Sequence, residues 1–271
     1  DWYAFMFQDR GALGRAPVLM PMHFEDDFPV IGESGKVPEV VTVLDTGYQY
    51  AAINGSDDFS YKPDENGQIT LKNFWEFNHQ QMDDFWSVTE NPGHLRLHSA
   101  KLSPTLFQAY NTLTQRTVGP KCAAEVTLRF AHMKNGDVAG ISTFIGNYGF
   151  IGVKKEKDQY YLIMMGRPAK DTSVFGQFEY ENPGIEYQRV PIIDTSVCLR
   201  AEADFTDKKD LASFFYKNRE GWQKLGIDQP MYFKMDLFTG CRFGLFYYST
   251  KQTGGFVDFS KFQFFEPKEE G

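Results

Sequence analysis

Apolar residues in this chain recur at every second position and hardly anywhere at helical spacing. Ala124, Val126, Leu128 and Phe130 alternate with Glu125, Thr127 and Arg129. Val197, Leu199, Ala201, Ala203 and Phe205 alternate in part with Arg200, Glu202 and Asp204. Successive side chains of a strand point to opposite faces, so each run predicts a strand with one buried face. Leu95-Arg96-Leu97 is a shorter case. Turn signals stand between the runs: Asn91-Pro92-Gly93, Asn135-Gly136-Asp137, Asn182-Pro183-Gly184 and Thr253-Gly254-Gly255. No stretch supports an amphipathic helix longer than two turns. Many short strands so punctuated predict an all-β fold, a two-sheet sandwich or jelly roll. The 26 Phe and 14 Tyr among 271 residues suit half-buried pleated surfaces. A chain of this length buries a core without disulfide or metal staples.

The beginning reads differently from the rest. Residues 2–7 predict a strand, Asp9 to Gly14 a glycine-rich turn, and Ala16 to Met22 a second strand. Pro17 and Pro21 predict an edge or outer position for it. Residues 33–55 read as a linker, 56–267 as the sandwich, and 268–271 as a frayed tail. The chain opens on Asp1-Trp2-Tyr3, with neither an initiator methionine nor a leader, which predicts a processed or truncated chain.

The formal charge of −8 and the absence of a basic run argue against nucleic acid or an anionic membrane as partner. No apolar run is long enough to span a bilayer, so a soluble protein is expected, cytoplasmic or secreted. Cys122, Cys198 and Cys241 are far apart, without zinc spacing, and read as small buried hydrophobes. His94 and His98 flank a strand, where residues four apart lie about 13 Å from each other, so they share no metal. Asp83, Asp84 and Glu90 cluster around Trp86 and read as surface carboxylates rather than an acid–base pair. Trp75, Trp86 and Trp222 are sugar-stacking candidates, with core packing the plainer account.

Residues 5–30 carry a recognisable series: Phe7-Gln8-Asp9-Arg10-Gly11-Ala12-Leu13-Gly14-Arg15, then Pro17, Pro21 and Phe28-Pro29-Val30. It resembles the last propeller blade of glycoside hydrolase family 43, the β-xylosidases and α-arabinofuranosidases. The resemblance continues through Phe77-Asn78-His79-Gln80 with Trp86, Asn111-Thr112-Leu113-Thr114-Gln115-Arg116, Gly119-Pro120 and Cys122. Met133-Lys134-Asn135-Gly136-Asp137, Tyr148-Gly149-Phe150-Ile151-Gly152-Val153, Phe238-Thr239-Gly240 and Asp258-Phe259 complete it. It implies a five-bladed propeller followed by a concanavalin-like sandwich, of which this chain carries a last-blade remnant, residues 1–32, and the sandwich. The family's three catalytic carboxylates belong to earlier blades, so the resemblance implies no catalytic residue here. An inverting pair must flank the scissile bond with room for a water between them. Ala16-Pro17-Val18-Leu19-Met20 departs from the His-Leu-Gln stretch of many xylosidases, which leaves xylose and arabinose specificity both open.

The resemblance also supplies the candidate site. Arg15 is expected to look into the sugar pocket, where a guanidinium donates to hydroxyls and keeps a neighbouring carboxylate ionised. Phe238 is expected at the pocket mouth, against the alternative of a core ring. Asp57, Asp58 and Asp258 are expected around a structural Ca²⁺ where the two ends of the sandwich meet, against the alternative of solvated aspartates. No cofactor is expected for catalysis. The expected role is accessory: to pack on the propeller, present in the same or another chain, and shape the mouth of a site for xylo- or arabino-oligosaccharides. The chain alone is expected to be inactive, and to self-associate through its orphan blade edge. A freestanding carbohydrate-binding module and a purely structural sandwich are the other readings.

Overall fold

The computed structural model describes residues 1–167, 181–232 and 239–267. In chain order the strands are β1 (Trp2–Asp9), β2 (Arg15–Glu25), β3 (Phe28–Ile31), β4 (Glu76–Phe77), β5 (Trp86–Ser87) and β6 (Leu95–His98). Then come β7 (Leu113–Arg116), β8 (Lys121–Arg129), β9 (Asp137–Phe144), β10 (Gly149–Glu156), β11 (Gln159–Gly166) and β12 (Ile185–Ile192). The last are β13 (Ser196–Asp204), β14 (Leu211–Asn218), β15 (Gly221–Lys224), β16 (Gln229–Pro230), β17 (Arg242–Ser249) and β18 (Phe256–Phe265). Helical structure among the described residues is limited to four single 3₁₀ turns.

A seven-stranded sheet, β12-β11-β10-β9-β17-β7-β4, faces an eight-stranded one, β15-β14-β13-β8-β18-β6-β5, in which β16 pairs with β14. The all-β sandwich expected from the alternation is present. The register shows why. Val126 lies opposite Leu199, Ala124 opposite Ala201 and Leu128 opposite Val197, so the apolar sets of β8 and β13 fall on one face. They meet Ile141, Ile151, Val153, Leu162 and Leu245 of the other sheet in the main core. Across the sheet Gly140 lies opposite Gly152, where a Cβ on Gly140 would stand 2.1 Å from the Ile151 carbonyl oxygen.

The seven-stranded sheet has no polar face at its centre. Every residue of β9 is buried. Its outer side carries a second cluster in which Phe144, Phe150, Ile163 and Phe246 pack under Leu106, Phe107 and Tyr148. The stretch around the 3₁₀ turn Leu106–Gln108 covers this face, so a central strand of this sheet is buried on both sides.

The first residues form a separate three-stranded sheet, β1-β2-β3, rather than the strand pair expected from the sequence. The proline-punctuated strand is its centre, not an edge. The Pro21 carbonyl accepts from the Gly32 amide at 2.9 Å, on the side of β3. In an antiparallel ladder a residue's N and C=O point the same way. The nitrogens of Pro21 and Pro17 therefore face away from β1. Because β3 pairs only with Met22 to Glu25, Pro17 removes no ladder bond, and Pro21, which cannot return a bond to Gly32, stands where the β2–β3 ladder ends.

Candidate functional site: the hairpin junction

The β1–β2 turn anchors the small sheet to the sandwich. Gly11–Leu13 form a 3₁₀ turn, Gly14 has φ +93°, and Ala12 is fully buried. The Ala12 amide donates to Asp210 Oδ2 at 3.1 Å, and the Ala12 carbonyl accepts from the Cys241 amide at 2.8 Å. The Cys241 carbonyl accepts in turn from Thr117 Oγ1 at 2.9 Å. Leu13 packs against the main core. A Cβ on Gly14 would stand 2.8 Å from the Gly240 Cα, so Gly14 and Gly240 meet backbone to backbone. Burial pushes the Asp210 carboxyl up, opposed by the bond from Ala12. Nothing in the sequence singles out Asp210, because its role lies wholly in what folds against it.

Arg15 leaves this junction as the first residue of β2, opposite Asp9. The register places Arg15 on one face with Phe7, Phe5 and Tyr3 and with their partners Pro17, Leu19 and Pro21. Its guanidinium carbon lies 5.1 Å from the Phe7 ring centroid. Asp9 Oδ1 accepts from the Gly11 amide at 3.2 Å. Phe238 lies outside the described residues. Thr239 and Gly240, which follow it in sequence, lie against Gly14, which precedes Arg15.

The small sheet is apolar on both faces. Tyr3, Phe5 and Phe7 line one, while Trp2, Met6 and Phe24 line the other, with Trp2 edge-on to Phe24 at 5.9 Å. These rings stand in the open: Phe5 is 75% exposed, Trp2 65% and Phe7 64%, with Phe28 on β3 at 76%. A strand that is apolar on both faces belongs in an interior layer.

The aspartates expected around calcium are engaged otherwise. Asp57 Oδ1 accepts from the Phe59 amide at 2.9 Å and faces Lys72 Nζ at 3.1 Å. Its Oδ2 accepts from Trp75 Nε1 at 2.8 Å and from the Tyr61 hydroxyl. Asp258 takes a two-pronged bond from Arg96, Nε to Oδ1 at 2.7 Å and Nη2 to Oδ2 at 2.9 Å, and a third from Asn91 Nδ2 at 2.9 Å. Asp58 Oδ1 accepts from the Ser60 amide at 3.0 Å. Among the described residues no group of three or more His, Cys, Asp or Glu side chains converges as metal ligands do. Asp57 and Asp258, already satisfied by cations and N–H donors, do not offer the open oxygen shell that Ca²⁺ requires.

The remaining candidates resolve into structural contacts. Trp75 is core, stacked on Phe59 at 5.9 Å. Trp86 packs against Phe77, and Trp222 lies under the Arg200 guanidinium at 4.1 Å. Asp83 accepts from Gln81, and Glu90 pairs with Arg96 and His98. Cys122 and Cys241 are buried thiols, and burial pushes Cys122 up to about 12. No helix among the described residues is long and apolar enough to cross a membrane.

Comparison with known proteins places this geometry. The β-xylosidase of Formosa agariphila is 26% identical over 278 residues, covering 93% of this chain and 43% of that protein. The solved structure of a bifunctional GH43-CE protein of Bacteroides eggerthii matches with TM-score 0.84 and 34% identity, over 99% of this chain and 33% of that one. A GH43 glycoside hydrolase, engineered to display both endo-xylanase and exo-arabinofuranosidase activity, matches with TM-score 0.82 and 27% identity. That match covers 98% of this chain and 52% of the enzyme. The chain thus spans about half or less of the relatives it matches. The family model of the beta xylosidase C-terminal concanavalin A-like domain matches residues 63–265, and the chain belongs to that family.

Proposed function

We propose that the chain is the C-terminal accessory portion of a glycoside hydrolase acting on β-xylosides or α-arabinofuranosides. Its sheet β1-β2-β3 is the last blade of the propeller, and the Gly11–Gly14 turn ties that blade to the sandwich. The observation that carries this reading is a three-stranded sheet, apolar on both faces and exposed on both, locked at one end into a complete sandwich core. Neighbouring blades of the same enzyme, in this or another chain, would cover those faces. Arg15, at the anchored end of the aromatic stripe, and Phe238 would then contribute to the pocket wall. The carboxylates that perform hydrolysis would come from the other blades, and no metal or cofactor enters the reading.

A freestanding binding module is less well supported. Such a module offers exposed tryptophans as sugar platforms, whereas in the sandwich Trp75 is buried and Trp86 and Trp222 are half-covered by neighbours, and the exposed Trp2 lies on the small sheet. The test is self-association. The chain alone is expected to elute from gel filtration above the monomer, and Phe5→Glu with Phe28→Glu is expected to restore a monomer. A clean wild-type monomer would remove the support for a docking sheet.

A further inference from the structure

The outer face of the eight-stranded sheet carries a cross-strand row in which Ser196 lies opposite Arg129, Arg129 opposite Asp258, and Asp258 opposite Arg96. The row forms the floor of a groove of 610 Å³, within the ~300–1,000 Å³ of small-ligand sites. Asp258 is consumed by Arg96 and Asn91, and Glu90 by Arg96 and His98, so both carboxylates of the groove have their own cations. Arg129 is exposed and has no carboxylate partner among the described residues. One wall is a ring platform: His132 stacks on Phe256 with centroids 4.2 Å apart and planes 16° from parallel, and Arg96 lies 4.1 Å from the same centroid. Thr195 and Ser196 line the groove beside Arg129.

We propose that this groove binds a carboxylated sugar, a uronic acid residue, with its carboxylate on Arg129 and its ring against His132. Of the groove's two arginines, Arg129 alone has no carboxylate of its own. A guanidinium presents a planar fork that matches a carboxylate. The hydroxyls of Thr195 and Ser196 and the stacked rings suit a polyhydroxylated ring with one apolar face, which a bare inorganic anion would leave unused. Arg96 is the positioning residue: its two bonds to Asp258 fix the guanidinium against Phe256 and so hold the platform. The sugar half of this inference rests on the glycosidase reading above; Arg129 takes no part in the hairpin junction, so failure here leaves that reading standing.

The test is titration of the whole chain with glucuronic acid, xylobiose and inorganic phosphate, followed by NMR shifts and calorimetry. Glucuronic acid is expected to bind at millimolar concentrations and to shift groove resonances, with xylobiose and phosphate weaker. Arg129→Gln is expected to weaken glucuronic acid by about tenfold or more, with the unfolding midpoint unchanged. No binding of glucuronic acid, equal binding of phosphate, or affinity indifferent to Arg129→Gln would each overturn the proposal.

Discussion

The amide of Cys241 donates to the carbonyl of Ala12 at 2.8 Å, joining the first turn of the chain to the start of β17 near its other end. Around that bond Gly14 and Gly240 touch through their backbones, both at positive φ, +93° and +69°. A side chain on Gly240 would stand 2.3 Å from the Leu13 carbonyl oxygen. Gly240→Ala is therefore expected to cost about 2 kcal/mol, combining a left-handed backbone with a main-chain clash. Urea unfolding measures the loss, and limited proteolysis is expected to cut β1–β2 earlier than in the wild type. Unchanged stability would show that the junction is not tight.

Asp57 ties the first sandwich segment to Trp75, Lys72 and the backbone of Phe59. Asp57→Ala leaves a buried indole N–H unpaired and is expected to cost about 3 kcal/mol in urea unfolding. Because its oxygens are filled by these donors, a chelator is expected to leave the wild-type midpoint where it was. A chelator-induced drop in the midpoint would restore calcium to the account.

Acid sensitivity follows from the carboxyls held low. Burial pushes Asp258 up, but the bonds from Arg96 and Asn91 outweigh it and hold the group below the ordinary carboxylate range. Arg189, then Lys154, bring Glu156 down to about 2. A carboxyl depressed by folding adds stability that is complete above its unfolded value, about 4, and is lost as pH falls through the folded value. Asp137, raised mainly by burial, works in the opposite sense: its contribution is present at low pH and is lost as pH rises through its folded value. Asp258→Asn is thus expected to cost about 2 kcal/mol at pH 7, with the gap to wild type closing as pH falls below about 4. A gap independent of pH would contradict the ion-pair account.

The sandwich was legible in the sequence because β8 and β13 each bury one face, and period-two alternation reports one buried face. The seven-stranded sheet was harder to read. In β9, Asp137 to Phe144, both sides are buried, so alternation has nothing to report. Pro17 and Pro21 pointed to an edge, yet they sit in a central strand, because what matters is which way each missing donor faces. The Gly14-Arg15 series led to the junction, but the partners that hold it, Asp210 and Cys241, are remote in sequence and gave no local signal. Arg129 was visible only as a polar member of an alternating strand. Its significance arises from register, which sets it beside an aspartate already committed to Arg96.

Hydrolysis of nitrophenyl β-xyloside and nitrophenyl α-arabinofuranoside by the purified chain alone tests the central claim most directly. The account predicts no turnover of either substrate, since Arg15 stands on an uncovered sheet and the carboxylates that would act beside it are proposed to lie on other blades. Turnover that follows the protein through purification and is abolished by Arg15→Ala would mean that this chain holds its own acid and base, and would contradict the accessory reading.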